Sequence, residues 1–329
     1  SRDLTGYYAR VLDSETDTAL EVLCDIVRNS TYPKKEIERE KTVVIEEIRD
    51  SLDTPQDIAN DAFMEQMFPD HPYGFPILGK VETVSSFTGR TLREFVTTRY
   101  TTDRTLIVAV GSLKHDEVVK KVELLMGDHQ TGTYVPADVP LRDPVEKMRA
   151  ISKDIAQSHY MIGRRAMGYA DERRTTYTIL NSILSAGMTS RLFHNIREKY
   201  GFAYTIYSFI DAFETTGLFG VYVATDLKHV DALHELIWKE FNKLKKNGIS
   251  GEELDKVKAQ TKGALVMGLE SMYNRLERMV QQHVRYNKII SIDESLKHIE
   301  AVSGKDILEL SRELFDESAF HSLLLKPNR

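Results

Sequence analysis

The sequence predicts an α+β protein of two tandem homologous domains, each a largely antiparallel sheet packed with helices, with the first domain truncated. Three observations lead there. Strand and helix patterns are mixed along the chain, and the strands come in hairpin-like pairs. A stretch from Gly127 to about Val145 breaks the helical periodicity and holds three of the nine prolines. One order of elements occurs on both sides of that stretch, the mark of an internal repeat.

The first copy opens at residues 7–13, whose alternation reads as a strand. A helix is expected over residues 16–29, a turn over 30–33, and a second helix from Lys34 to about Leu52. The second copy has a strand at 217–226, a helix at 230–246, a turn at 247–250 and another helix from Gly251. Ser250 suits the N-cap of that helix, with Glu253 at capping-box spacing. Asp13 and Asp226 close the two strands, and Ala19-Leu20 and Ala232-Leu233 follow at matching distances. Ahead of the second copy stand an expected strand at 157–165, helices at 172–185 and 189–199, and a strand at 203–210. Only six residues stand ahead of Tyr7, so the first half lacks the counterpart of most of that stretch. The expected domains are residues 1–145, with the linker at their end, and 146–329.

With 44 basic against 50 acidic residues, the net charge of −6 asks for neither nucleic acid nor an anionic membrane as partner. No apolar run approaches the ~18–20 residues of a membrane span. The single cysteine, Cys24, excludes an internal disulfide and fits a reducing compartment or a protein indifferent to redox state. A cytoplasmic location is expected. Cys24 lies in an apolar helical stretch and reads as a small core residue. Met267, Met272 and Met279 occupy helical positions and are likewise expected in a core. His71, before Pro72 in a turn, reads as structural.

On the helix from Lys34, the residues Glu36, Glu40, Val43 and Glu47 recur on one face, beside a stripe of Ile37, Val44, Ile48 and Leu52. Glu40 and Glu47 thus border the buried side, where a carboxylate could reach a metal. A solvated acidic face is the plainer alternative on pattern alone. Farther on, Arg197 ends a helix, Gly201 suits a left-handed C′ position, and Tyr204 begins a strand. The two side chains could hold a substrate carbonyl and a developing oxyanion. Equally, Arg197 could complement the helix C-terminus and Tyr204 be a half-buried strand aromatic.

Four runs carry a resemblance. They are Glu38-Arg39-Glu40-Lys41-Thr42-Val43-Val44-Ile45-Glu46-Glu47-Ile48 with Asp53-Thr54-Pro55; His71-Pro72-Tyr73-Gly74 with Ile77-Leu78-Gly79; the stretch from Ser185 to Phe193 continuing through Ile196-Arg197-Glu198-Lys199-Tyr200-Gly201-Phe202-Ala203-Tyr204; and Glu270-Ser271-Met272 with Asn274-Arg275-Leu276-Glu277. In this order the chain resembles the pitrilysin, insulinase and mitochondrial processing peptidase family of zinc metallopeptidases. The resemblance implies tandem homologous domains, a zinc ion as cofactor, a peptide substrate, and pairing into homo- or heterodimers.

By position Glu47 resembles the third zinc ligand and Glu40 a supporting carboxylate, while Glu46 points to another face. Arg197 and Tyr204 resemble a pair that contacts substrate from the second domain. The family's His-x-x-Glu-His motif is not found among the ten histidines, and counting back from Glu47 to its expected place passes Ser1. The expectation is therefore a truncated metallopeptidase subunit, inactive as this chain, with Glu47 replaced near Ala264 in a second domain that binds no metal. A scaffold or partner subunit of the same fold is the alternative.

Overall fold

A computed structural model describes residues 1–132, 134–135 and 138–328; Thr133, Pro136 and Ala137 of the expected linker lie outside the described residues. The described chain clusters into two units. The first comprises residues 1–51, 76–140 and 271–281, the second 52–75, 141–270 and 282–329. Both units draw on more than one stretch of sequence, so they cut across the contiguous division at residue 145.

The second unit is built on one five-stranded sheet. Its strands are β1 (Met148–Lys153), β2 (Ser158–Ala166), β3 (Ala203–Ala212), β4 (Gly217–Thr225) and β5 (His321–Pro327). Their order is β1-β5-β2-β4-β3, with β1 and β5 parallel and every other pair antiparallel. Alternation along the strands sorts their side chains to two faces. Tyr160 and Ile162 of β2 and Phe219, Val221 and Val223 of β4 join one core with helices α7 (Arg174–Ser185) and α8 (Val230–Asn247) and with the helix Gly304–Leu314. Met161 of β2 and Leu218, Tyr222 and Ala224 of β4 face a smaller core against α3 (Pro55–Met67), which contributes Ala59, Phe63, Met64 and Met67. Covered on both faces, β4 is buried throughout. Helix α9 (Gly251–Gly268) follows α8 after a turn in which Gly248 takes φ +66°. The Ser250 side chain accepts from the Glu253 amide, as its N-cap position predicts.

The first unit is helical. It contains α1 (Thr16–Asn29), α4 (Val81–Ser86), α5 (Gly89–Arg99), α6 (His115–Met126) and most of α2 (Lys34–Asp53). Cys24 is buried on α1, and burial pushes its thiol pKa up, as a core cysteine requires. Arg28 of α1 donates to the Leu125 carbonyl at the end of α6 and pairs with Asp128 at 2.8 Å. The strand expected at residues 7–13 does not form. Tyr8 and Leu12 are 68% and 75% exposed, and residues 13–15 turn into a short 3-10 helix. The alternation is real, but a strand needs a paired neighbour, and the described residues of this unit contain no strand. Met267 and Met272 are exposed, not core, and Met279 is half-buried. His71 is structural: its Nδ1 accepts from the Tyr73 amide at 3.2 Å and its ring packs against Tyr73.

Hydrogen exchange should expose this asymmetry. Amides of residues 7–12 lack a ladder and are expected to exchange within seconds to minutes. Those of Tyr222, Val223 and Ala224, paired on both sides, should exchange near the rate set by global opening. Equal protection in both segments would mean that the first is paired in solution.

Candidate active-site residues

Helix α2 carries the metal-side candidates. Ile37 and Ile48 are its buried residues. Three of its glutamates are neutralised along the helix by a base three residues later: Glu36 by Arg39 (3.9 Å), Glu38 by Lys41 (2.9 Å) and Glu46 by Arg49. Glu40 and Glu47 have no such partner. Residues three and four beyond them are Val43 and Val44, and Asp50 and Ser51. Both carboxylates are exposed, with Val43 between them 46% exposed.

The expected placement at the edge of a buried side therefore needs correcting. At about 100° per residue, Glu40 and Glu47 stand roughly 60–80° around the helix from the Ile37–Ile48 stripe. That turns them beyond the surface this unit covers. Leu52, expected in the stripe, is half exposed as well. The result is a face of two carboxylates, without an ion pair among the described residues, flanking an open valine.

The substrate-side candidates lie in the second unit. Gly187 takes φ +77°, and Ser190, whose hydroxyl donates to the Gly187 carbonyl at 2.7 Å, starts the next helical segment. Arg191 ties that segment to α9 through two bonds to Glu253, at 2.8 and 2.7 Å. The segment widens to π geometry over Phe193–Glu198. Arg197 lies in this π turn, exposed, its guanidinium 4.7 Å from the centre of the Phe193 ring. The Gly201 amide donates to the Arg197 carbonyl at 3.0 Å, and Gly201 takes φ +65°, the expected left-handed stop.

Two residues later β3 begins with a bulge. Ala203 faces Thr225, but Thr205 faces Ala224, so Tyr204 has no opposite residue. Strand β3 is an edge strand, and Tyr204 is 67% exposed. It is thus not a half-buried aromatic. Both candidates stand at backbone irregularities, a π turn and a bulge, that aim side chains outward. Phe193, the platform under Arg197, was not singled out in the sequence. Its spacing of four residues from Arg197 was the available signal.

Ala264, near which the sequence repeat leads one to expect the counterpart of Glu47, lies on α9 and is exposed. Among the described residues no three His, Cys, Asp or Glu side chains converge into a group that could hold a metal ion. Glu47 therefore fits zinc as one oxygen donor on a rigid helix, not as a complete ligand set.

Comparison with known proteins gives the family. Residues 1–81 match the family model "Insulinase (Peptidase family M16)", and residues 86–261 match "Peptidase M16 inactive domain". Among curated proteins, the chain is 34% identical to the "Uncharacterized zinc protease YmxG" of Bacillus subtilis over 318 residues, covering 96% of this chain and 77% of that protein. It is 30% identical to an uncharacterized zinc protease of Streptomyces coelicolor, covering 95% of this chain and 70% of the relative. In fold it is similar to a protease from Helicobacter pylori (TM-score 0.88, 19% identity, 96% of this chain and 78% of that one). A peptidase M16 inactive domain from Pseudomonas fluorescens is equally similar (TM-score 0.88, 18% identity, 97% and 76%). Two family models in tandem over most of the chain, and relatives at this identity and coverage, place the chain in the insulinase family of peptidases, family M16.

Proposed function

We propose that this chain is the larger part of a zinc-dependent metalloendopeptidase subunit. In this reading Glu47 is a zinc ligand, Glu40 supports it, and Arg197 and Tyr204 contact the peptide. The observation that carries it is the pair of uncompensated carboxylates on α2, whose neighbours Glu36, Glu38 and Glu46 are each matched to a base. An exposed carboxylate without a counter-charge on a rigid helix is available to a cation. The names of the curated relatives, zinc proteases, support the choice of ion.

Zinc held by Glu47, with its other donors from outside this chain, would supply Lewis-acid polarisation at an open coordination position. Arg197, steadied on Phe193, presents donors to main-chain carbonyls of an extended peptide. Tyr204, lifted out of the ladder by the bulge, offers its hydroxyl proton as a hydrogen bond to an oxygen gaining negative charge. The second half, with Ala264 where the first has Glu47, contributes substrate contacts and no metal. The two imidazoles of the metal site come, in this proposal, from residues outside this chain.

Metal analysis tests the proposal. The 329-residue chain, dialysed after exposure to zinc, is expected to retain well under one equivalent. A form extended ahead of Ser1 by a His-x-x-Glu-His segment is expected to retain one and to cleave unstructured peptides. If the extended form holds no zinc, the chain is a scaffold or partner subunit of the same fold.

A further inference from the structure

The helices of the two halves run in one order. After β4 the chain forms α8, α9, α10 (Met272–Tyr286), α11 (Ile292–Ala301) and α12 (Gly304–Leu314). A 3-10 turn at Glu317–Ala319 then leads into β5. After residues 7–12 it forms α1, α2, α3, α4 and α5, and a 3-10 turn at Thr102–Arg104 leads into residues 105–110. Both α5 and α12 open on a capping box, built on Thr88 with Thr91 and on Ser303 with Asp306. From each of these N-caps the next 3-10 turn begins fourteen residues on, at Thr102 and at Glu317. Residues 105–110 therefore correspond to β5, as residues 7–12 correspond to β4.

In the second unit β4 and β5 are not neighbours. β2 lies between them and pairs antiparallel with both. Its side chains are apolar on both faces, with Tyr160 and Ile162 in one core and Met161 in the other. The first unit has no counterpart of β2 among its described residues. The two segments that would flank it are nevertheless anchored. The Tyr7 hydroxyl shares a hydrogen bond with that of Tyr100 at 3.2 Å, and the Tyr8 ring lies 5.3 Å from that of Tyr273. The Thr105 hydroxyl donates to the Thr101 carbonyl at 2.8 Å. Leu106-Ile107-Val108-Ala109-Val110 is an uncharged apolar run, yet Leu106 and Ile107 are 40% and 39% exposed. Residues 106–110 make no backbone hydrogen bond to another segment among the described residues. Half-buried residues such as Val108 and Ala109 ordinarily have their amides and carbonyls paired.

We propose that residues 7–12 and 105–110 bracket a slot one strand wide, filled by an extended segment of the intact subunit that is apolar on both faces and antiparallel to both. The inference rests on the reading of this chain as the larger part of a subunit. Fifty residues separate the end of β2 at Ala166 from the start of β4 at Gly217, and only six stand ahead of Tyr7. The occupant at the matching distance therefore lies ahead of Ser1. Two strand spacings of about 4.8 Å set the flanking segments roughly 10 Å apart, too far to pair with each other. No residue of the slot is assigned to zinc or to the peptide.

Hydrogen exchange tests this in chelator-treated protein, so that zinc plays no part. The 329-residue chain is compared with a form carrying the roughly 70 residues encoded ahead of Ser1, the span from β1 to β4 in the second unit. Amides of both segments are expected to exchange at least ~100-fold more slowly in the extended form. A form carrying only the roughly 40 residues next to Ser1 omits the occupant and should leave residues 105–110 as fast as before. Protection of residues 105–110 in that shorter form, or their free exchange in the longer one, overturns the slot. So does protection of both segments in the 329-residue chain. Constant protection there would mean that they pair directly, and protection growing with concentration that a second copy covers them. Zinc content before chelation separates this from the metal reading. Both segments protected without zinc sinks the metal assignment and leaves the slot standing, whereas zinc retained beside freely exchanging segments sinks the slot alone.

Discussion

Changing Glu47 to Gln in a zinc-bearing, extended form of the protein is expected to abolish both metal retention and peptide cleavage. A neutral amide keeps the size of the side chain but is a poor zinc ligand. Residues that only orient zinc ligands are worth about 10- to 100-fold in metal affinity, and a direct ligand should exceed that. Glu40→Gln tests the supporting role, with an expected loss inside that range. The fold should not change. Both side chains are exposed and make no contact with a base on the helix, so their stability effect should stay within about 0.5 kcal/mol. Zinc content after dialysis, measured beside the melting temperature, separates the outcomes. If Glu47→Gln keeps a full equivalent of zinc, the ligand lies elsewhere, with Glu46 or Glu40 next to be changed.

Tyr204→Phe is expected to leave zinc content and fold intact and to lower kcat by about 10²–10³, the usual cost of deleting one oxyanion donor. The aromatic body remains, so KM should move little. Arg197→Ala should differ in kind. It removes donors to the bound peptide in both ground and transition states, and so should raise KM as well as lower turnover. A Phe193→Leu variant refines this, because it withdraws the platform under the guanidinium while keeping the charge. Its effect should follow Arg197→Ala at smaller size. If Tyr204→Phe and Arg197→Ala both cleave like the parent, the bulge and the π turn serve the fold alone.

Much of this was legible in the sequence, and the gaps have physical causes. Helices α1, α2, α8 and α9 follow from periodicity and from capping residues such as Ser250, because those signals are local. Strands β2, β3 and β4 were visible as apolar or alternating runs. Strand β1 was not, because Met148–Lys153 is a half-exposed edge strand with little apolar pattern. Residues 7–13 misled for the converse reason. Their alternation is intrinsic, but pairing depends on a neighbour that local sequence does not contain.

At the candidate site, the bulge at Tyr204 was invisible because an extra residue is a property of the register between β3 and β4. The uncompensated state of Glu40 and Glu47, by contrast, could have been read directly. It follows from which residues stand three and four places on, and the hydrophobic stripe drew attention away from it.

The place of β5 has a consequence for how the protein is made. β5 lies between β1 and β2, so the two sheet edges it joins must wait for residues 321–327. Synthesis at about 5–20 residues per second separates β1 from β5 by roughly 10–35 s. Through that interval β2 presents an open row of amides and carbonyls beside the apolar side chains of Met161 and Ile162. The nascent chain therefore exposes an unpaired, partly apolar strand edge until its last residues are made. A chain cut short just before residue 321 should hold a half-sheet that protease reads as unfolded, whereas the 329-residue chain released from the ribosome holds a finished one.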